Sequence, residues 1–187
     1  MKDFSKILIF TENSSTLKET SYDDKNRKYM IDSSLEVIDF DKVKEKYSLE
    51  IGLKEIPKSC DALYTLGDTI FFIEFKNGKV EVFDIRKKIY DTILIFNDLV
   101  ECGISETRKK VEYILVYDKE KNKTSKSYGD YKKNNIIESE SYNLISMGIS
   151  KLANQEIIKF KIGDFQNYLL KDVHTYTKEE FEKFLEK

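Results

Sequence analysis

The chain has 187 residues, 40% hydrophobic and 35% charged, which is enough length and apolar content to bury the core of one domain. Its 32 basic and 34 acidic residues leave a formal net charge of −2, which removes any global electrostatic drive toward nucleic acid or an anionic membrane. Twelve Tyr, twelve Phe and a single Pro exclude a chain that is disordered throughout, and no apolar stretch approaches the ~20 residues of a bilayer span.

Two cysteines, Cys60 and Cys102, lack metal-type spacing and read as reduced thiols. Residues 1–10 contain a short apolar run without a small-residue cleavage site, so a signal peptide is not expected and the cytoplasm is the expected compartment.

Residues 7–10 read as a short strand, and 11–28 as a polar N-terminal loop without sustained period. Residues 35–40 alternate as a strand, and 41–47 suit a short helix with Asp39 or Asp41 at its N-terminal end. Beyond the hairpin discussed below, residues 83–102 place Ile85, Ile89, Ile93 and Phe96 at helical spacing, a wide apolar face for packing on a sheet, with Gly103 as the stop. Residues 112–117 form an apolar strand, and 119–135 a lysine-rich loop. A helix over 141–153, a strand over 157–162 and a T-x-x-E capping box at Thr177 and Glu180, with Tyr176 stapling onto Phe181, complete the chain.

The informative segment is residues 59–78, SCDALYTLGDTIFFIEFKNG. Gly67-Asp68 between two strand-forming runs predicts a β-hairpin that pairs Leu66 with Thr69 and Leu63 with Phe72, and sets Asp61 opposite Glu74. Alternation puts Cys60, Ala62, Tyr64, Phe71, Ile73 and Phe75 on one face. The other carries Leu63, Ile70 and Phe72, then Asp61, Glu74 and Lys76 gathered at one end.

Two carboxylates facing each other in a sheet repel, by roughly 3 kcal/mol at ~5 Å and an effective dielectric near 20. Lys76 offsets part of this, and a divalent cation would offset more. Mg²⁺ is held by one or two carboxylates plus water and phosphate oxygens. Lys76 would then orient a water and stabilise charge developing on phosphorus, the parts needed for metal-assisted phosphodiester hydrolysis.

Asp61 followed thirteen residues later by Glu74-Phe75-Lys76 resembles the D…E-x-K motif of the PD-(D/E)XK nuclease superfamily. Members place the Asp on one strand and E-x-K on the next, followed by a helix and a further strand; the helix at 83–102 and the strand at 112–117 agree. The Pro-Asp pair of the family is not intact, since Pro57 precedes Asp61 by four residues. The resemblance covers roughly residues 35–117. It implies an α/β fold with a central mixed β-sheet flanked by helices, a restriction-endonuclease-like core (αβββαβ). It also implies Asp61 and Glu74 as ligands of Mg²⁺ (or Mn²⁺) and Lys76 as the catalytic lysine. Many members add a Glu on the helix before the hairpin, for which Glu45 is the match by position, ahead of Glu36. The domain expectation is a single domain, with the core at 35–117 and a C-terminal α/β extension at about 136–187.

For nucleic-acid contacts the candidates are Arg86 and Lys87, with Lys88, at the start of the long helix; arginine's planar fork suits phosphate. The lysines of 119–133, interleaved with Tyr128 and Tyr131, suit a nucleic-acid backbone as well as a solvated loop. The expected function is metal-dependent nucleic-acid hydrolysis. The near-neutral charge favours an alternative, a non-catalytic protein on the same scaffold that binds a protein partner, or a subunit of a larger nucleoprotein complex.

Overall fold

The computed structural model describes residues 6–123 and 158–186. Among these residues, six strands make one mixed sheet, ordered β1-β4-β5-β6-β7-β8. The sheet strands are β1 (Ser14–Thr16), β4 (Glu36–Asp39), β5 (Ala62–Leu66), β6 (Thr69–Lys76), β7 (Val111–Tyr117) and β8 (Asp172–Thr177). The first four pair antiparallel with one another, whereas β7 and β8 run parallel to β6. The long α4 (Val82–Val100) and the short α5 (Ile104–Lys110) form the crossover from β6 to parallel β7.

The hairpin has the expected register: Leu66 pairs with Thr69, Leu63 with Phe72 and Ala62 with Ile73. Gly67 turns the chain at φ +58°, a left-handed conformation glycine adopts without strain. The two faces separate as the alternation requires. Leu63, Ile70 and Phe72 join Tyr113 and Leu115 of β7 in a core with α4 and with Phe40 and Val43 of α3 (Phe40–Glu50). Ala62, Phe71, Ile73 and Phe75 join Ile114 and Val116 in a second core, closed by Phe181 from α6 (Lys178–Leu185). The sheet is thus buried on both sides, and the fold is α/β.

Local signals mark most element ends. Asp39 caps α3 by accepting from Lys42 N at 3.1 Å. Thr177 and Glu180 form the full capping box of α6, and the Tyr176 ring stacks on Phe181 at 6.5 Å.

Four expectations are corrected. Residues 7–10 are not a strand: α1 (Leu8–Thr11) is one helical turn, buried through Ile9 and Phe10, and the Asn13 side chain donates to Ile9 O at 2.7 Å. Residues 11–28 are ordered, containing β1, the one-turn α2 (Leu17–Thr20), and a small hairpin of β2 (Tyr22–Asp23) and β3 (Lys28–Tyr29). The end of α4 falls to Glu101 in the left-handed region at φ 51°, while Gly103 is the N-cap of α5. Residues 158–162 run as loop, with Phe160 and Lys161 at positive φ; the strand that extends the sheet is β8 instead. The expected helix at 141–153 lies outside the described residues, as does most of the lysine-rich 119–135 segment. Among the described residues, no helix is long and apolar enough to cross a membrane.

Candidate active site

The chain before β5 leaves the sheet early, and that departure builds the site. Lys58 N donates to Asp91 Oδ2 and Cys60 N to Thr92 Oγ1, each at 2.9 Å, so residues 58–60 are clipped to the face of α4. Cys60 therefore turns into the α4 core with Leu63 and Phe72, not onto the face of Ala62 where alternation puts it. Strand alternation does not extend past the last paired residue.

Asp61 stands at this junction. Its amide donates to Ile73 O at 3.1 Å, continuing the ladder, while its carbonyl accepts from Phe40 N at the start of α3. Its side chain turns inward, and Oδ2 accepts from Phe75 N at 2.6 Å. Strand β6 runs on past the end of β5, so the Phe75 amide would lack a strand partner on that side. The Asp61 carboxylate supplies the acceptor.

Glu74 lies next to it on β6, with no exposed surface. Both of its carboxylate oxygens accept from Lys88 Nζ at 2.7 Å, and the same ammonium lies 3.5 Å from Asp61 Oδ1. Lys76 Nζ is 3.7 Å from Glu74 Oε1, with 29% of its side chain exposed. The D…E-x-K residues thus converge on one side of the sheet, as the hairpin parity requires. Lys88 comes down onto them from the second turn of α4.

Electrostatics follow burial. Desolvation first, and then the Asp61 charge, push the Glu74 carboxyl up to about 8. Asp61 is raised too, mainly by desolvation, with Lys88 opposing. The two acids in turn hold the Lys88 ammonium protonated above its usual range, outweighing its own burial.

A cleft of about 480 Å³ opens in front of these groups. Asp41 of α3 lines it, beside Asp61, Glu74, Lys76 and Lys88. Ser59 Oγ donates to Asp41 Oδ1 at 2.6 Å, which fixes the acid, and its charge acts on both Asp61 and Lys88. The far wall is the β2–β3 hairpin, tied to the end of β6 by Asn77 Nδ2 donating to Asp23 Oδ2 at 2.8 Å.

The remaining sequence candidates stand elsewhere. Glu45 is exposed, one turn beyond Asp41, and does not line the cleft; Glu36 is exposed on β4. The α3 acid brought to the cleft is Asp41, because α3 starts at Phe40, where the chain bonds to Asp61, and only its first turn reaches the hairpin end. Arg86 does not line the cleft: it donates to Lys161 O at 2.9 Å, pairs with Asp164 and lies over the Phe165 ring. Lys87 pairs with Asp91 at 3.5 Å along the outside of α4. Neighbouring positions on a helix point about 100° apart, so of the three consecutive cations Lys88 is the one directed at the acids. Its position three residues after Ile85 and four before Thr92, both buried, is the signal sequence reading passed over: a lysine on the buried stripe.

The donors present are suited to a hard divalent cation. Two carboxylates converge beside a cleft with room for water and phosphate oxygens, the set from which Mg²⁺ is commonly held. An ammonium already sits on the same oxygens, which marks the point as one that binds positive charge. Among the described residues, no cluster of three or more His, Cys, Asp or Glu side chains is arranged to hold an ion, so such a metal would keep most of its shell as water and substrate. Comparison with family models, curated proteins and solved structures finds no match to this chain, and the site stands on its own chemistry.

Proposed function

We propose that the protein is a metal-dependent nuclease that hydrolyses phosphodiester bonds of nucleic acid, a divergent relative of the PD-(D/E)XK enzymes. The observation that carries this reading is the convergence of Asp61, Glu74 and two lysines, Lys76 and Lys88, at the mouth of one cleft. In it, Asp61 and Glu74 would hold Mg²⁺ or Mn²⁺, which when bound would supply Lewis-acid polarisation of the phosphoryl group. Lys76 reaches the cleft from the end of β6, where it orients the attacking water and donates to the oxygens that gain charge as the bond to phosphorus forms. The Phe75 amide holds the Asp61 carboxylate in place through the cycle, and the buried wall behind Glu74 keeps bulk water off its inner side.

The test is incubation of purified protein with single- and double-stranded DNA and RNA in Mg²⁺ or Mn²⁺. Cleavage that disappears in EDTA and in Lys76→Ala is the expected result. A wild-type protein that cuts none of these substrates in either metal overturns the proposal.

One observation favours a second reading, that of a scaffold acting by binding a protein partner. Lys88 already donates to both oxygens of Glu74, so the acid has a hydrogen-bond partner without an ion. In that case Asp61→Asn leaves the protein's biological effect intact, whereas the nuclease reading requires its loss.

A further inference from the structure

The position of Lys88 has a consequence for how the site takes up metal. Its ammonium lies on both oxygens of Glu74 at 2.7 Å and within 3.5 Å of Asp61, the two acids that would hold the metal. With Lys88 donating closely to both Glu74 oxygens, a divalent ion held by the same acids would lie within a few ångströms of this ammonium, and the two like charges repel. The backbone of α4 is held at this point by Asp91 and Thr92, which bind residues 58 and 60, and by the buried Ile85 and Ile89. The side chain, by contrast, is a four-carbon stem with 17% of its surface on the cleft side, so exchange falls to the lysine and not to the helix.

We infer that Lys88 is an internal counter-cation that alternates with the divalent metal: the ammonium holds Asp61 and Glu74 together in the metal-free protein and swings into the cleft when metal enters. The inference rests on the metal-dependent reading of the same site. Asp41, facing the same cleft from α3 with Oδ1 bonded to Lys44 and Ser59, offers its remaining oxygen to the displaced ammonium. The outward ammonium also adds positive charge where a substrate phosphate would sit. Phosphate therefore favours the outward state, and metal and nucleic acid assist each other's binding through one side chain.

The test is calorimetric titration of Mn²⁺ into wild type, Lys88→Met and the double variant Lys88→Met/Glu74→Gln, without nucleic acid, alongside melting in EDTA and in Mn²⁺. Removing the competing ammonium should tighten Mn²⁺ binding at least ten-fold in Lys88→Met and enlarge the rise in Tm on adding Mn²⁺, and the double variant should lose both gains. If Lys88→Met does not fold in EDTA, Mn²⁺ should restore its fold. Equal or weaker Mn²⁺ binding in Lys88→Met overturns the inference, as does an unfolded variant that Mn²⁺ fails to rescue or a gain that survives in the double variant. The nuclease reading is judged separately by wild-type cleavage. A wild type that cuts, paired with an unchanged Lys88→Met affinity, sinks only the exchange; a tightened Lys88→Met with an inert wild type sinks only the nuclease.

Discussion

The carboxylate of Asp61 substitutes for a missing stretch of strand: Oδ2 accepts the Phe75 amide at 2.6 Å, where the partner strand has already left the sheet. The same side chain therefore has two separable duties, as a backbone acceptor and as a charged group beside Glu74 and Lys88. Asp61→Asn keeps an oxygen for the amide and loses the charge, whereas Asp61→Ala loses both. Urea denaturation should show Asp61→Ala less stable than Asp61→Asn by about 1–3 kcal/mol, the cost of a buried donor left without its partner. Both should be inactive in a cleavage assay. Equal stabilities would mean that the Phe75 amide finds another acceptor.

On the nuclease reading, Lys76 is the group whose loss should separate chemistry from folding. It is partly exposed and lies 3.7 Å from Glu74, a longer contact than that made by Lys88. Lys76→Ala should change stability by no more than about 1 kcal/mol, as for a partly solvated ion pair, while cleavage falls to background. A Tm that collapses in this variant would assign Lys76 to the architecture of the site.

The buried Glu74 sets a pH dependence whose sign follows from its raised carboxyl. In the unfolded chain Glu74 loses its proton near 4.5, and in the folded protein only near 8. The folded state binds more protons across that interval, so this group's contribution is complete below about pH 4.5 and is lost as pH rises through 8. In EDTA, the Tm of wild type relative to Glu74→Gln should fall between pH 5 and pH 8. Divalent metal needs the carboxylate, so the rise in Tm on adding Mn²⁺ should grow over the same interval. A wild-type minus variant difference that stays flat with pH in EDTA would rule out the raised carboxyl.

Tyr113 supplies a test of the core behind the site. Its side chain is 1% exposed, faces the α4 core, and its hydroxyl has no hydrogen-bond partner among the described residues. Desolvation pushes the phenol well above its usual range, with Glu74 adding to it. Tyr113→Phe removes an unsatisfied polar atom at little change of shape and should stabilise the protein by about 1 kcal/mol. A loss of similar size in thermal or urea unfolding would show that the hydroxyl is satisfied in solution.

Much of this site is legible in the sequence, because its information is short-range. Turn chemistry at Gly67 and a two-residue alternation are enough to pair Leu63 with Phe72 and bring Asp61, Glu74 and Lys76 to one face. The capping box at Thr177 and the apolar face of α4 are likewise written within four residues of themselves. Where a polar segment lacked period, as in 11–28, the sequence was silent, because one-turn helices and two-residue strands are too short to show one.

What only the tertiary structure decided is which distant groups complete the cluster. The direction of Lys88 rather than Arg86, the choice of Asp41 over Glu45, and the turning of Cys60 into the helix core all depend on how residues 58–61 are clipped to α4 and to the start of α3. Those bonds join positions 21 to 33 residues apart, and strand β8 joins β7 from more than 50 residues away. No local propensity encodes such pairings. They are selected by burying two sheet faces at once while leaving no amide or charge without its partner.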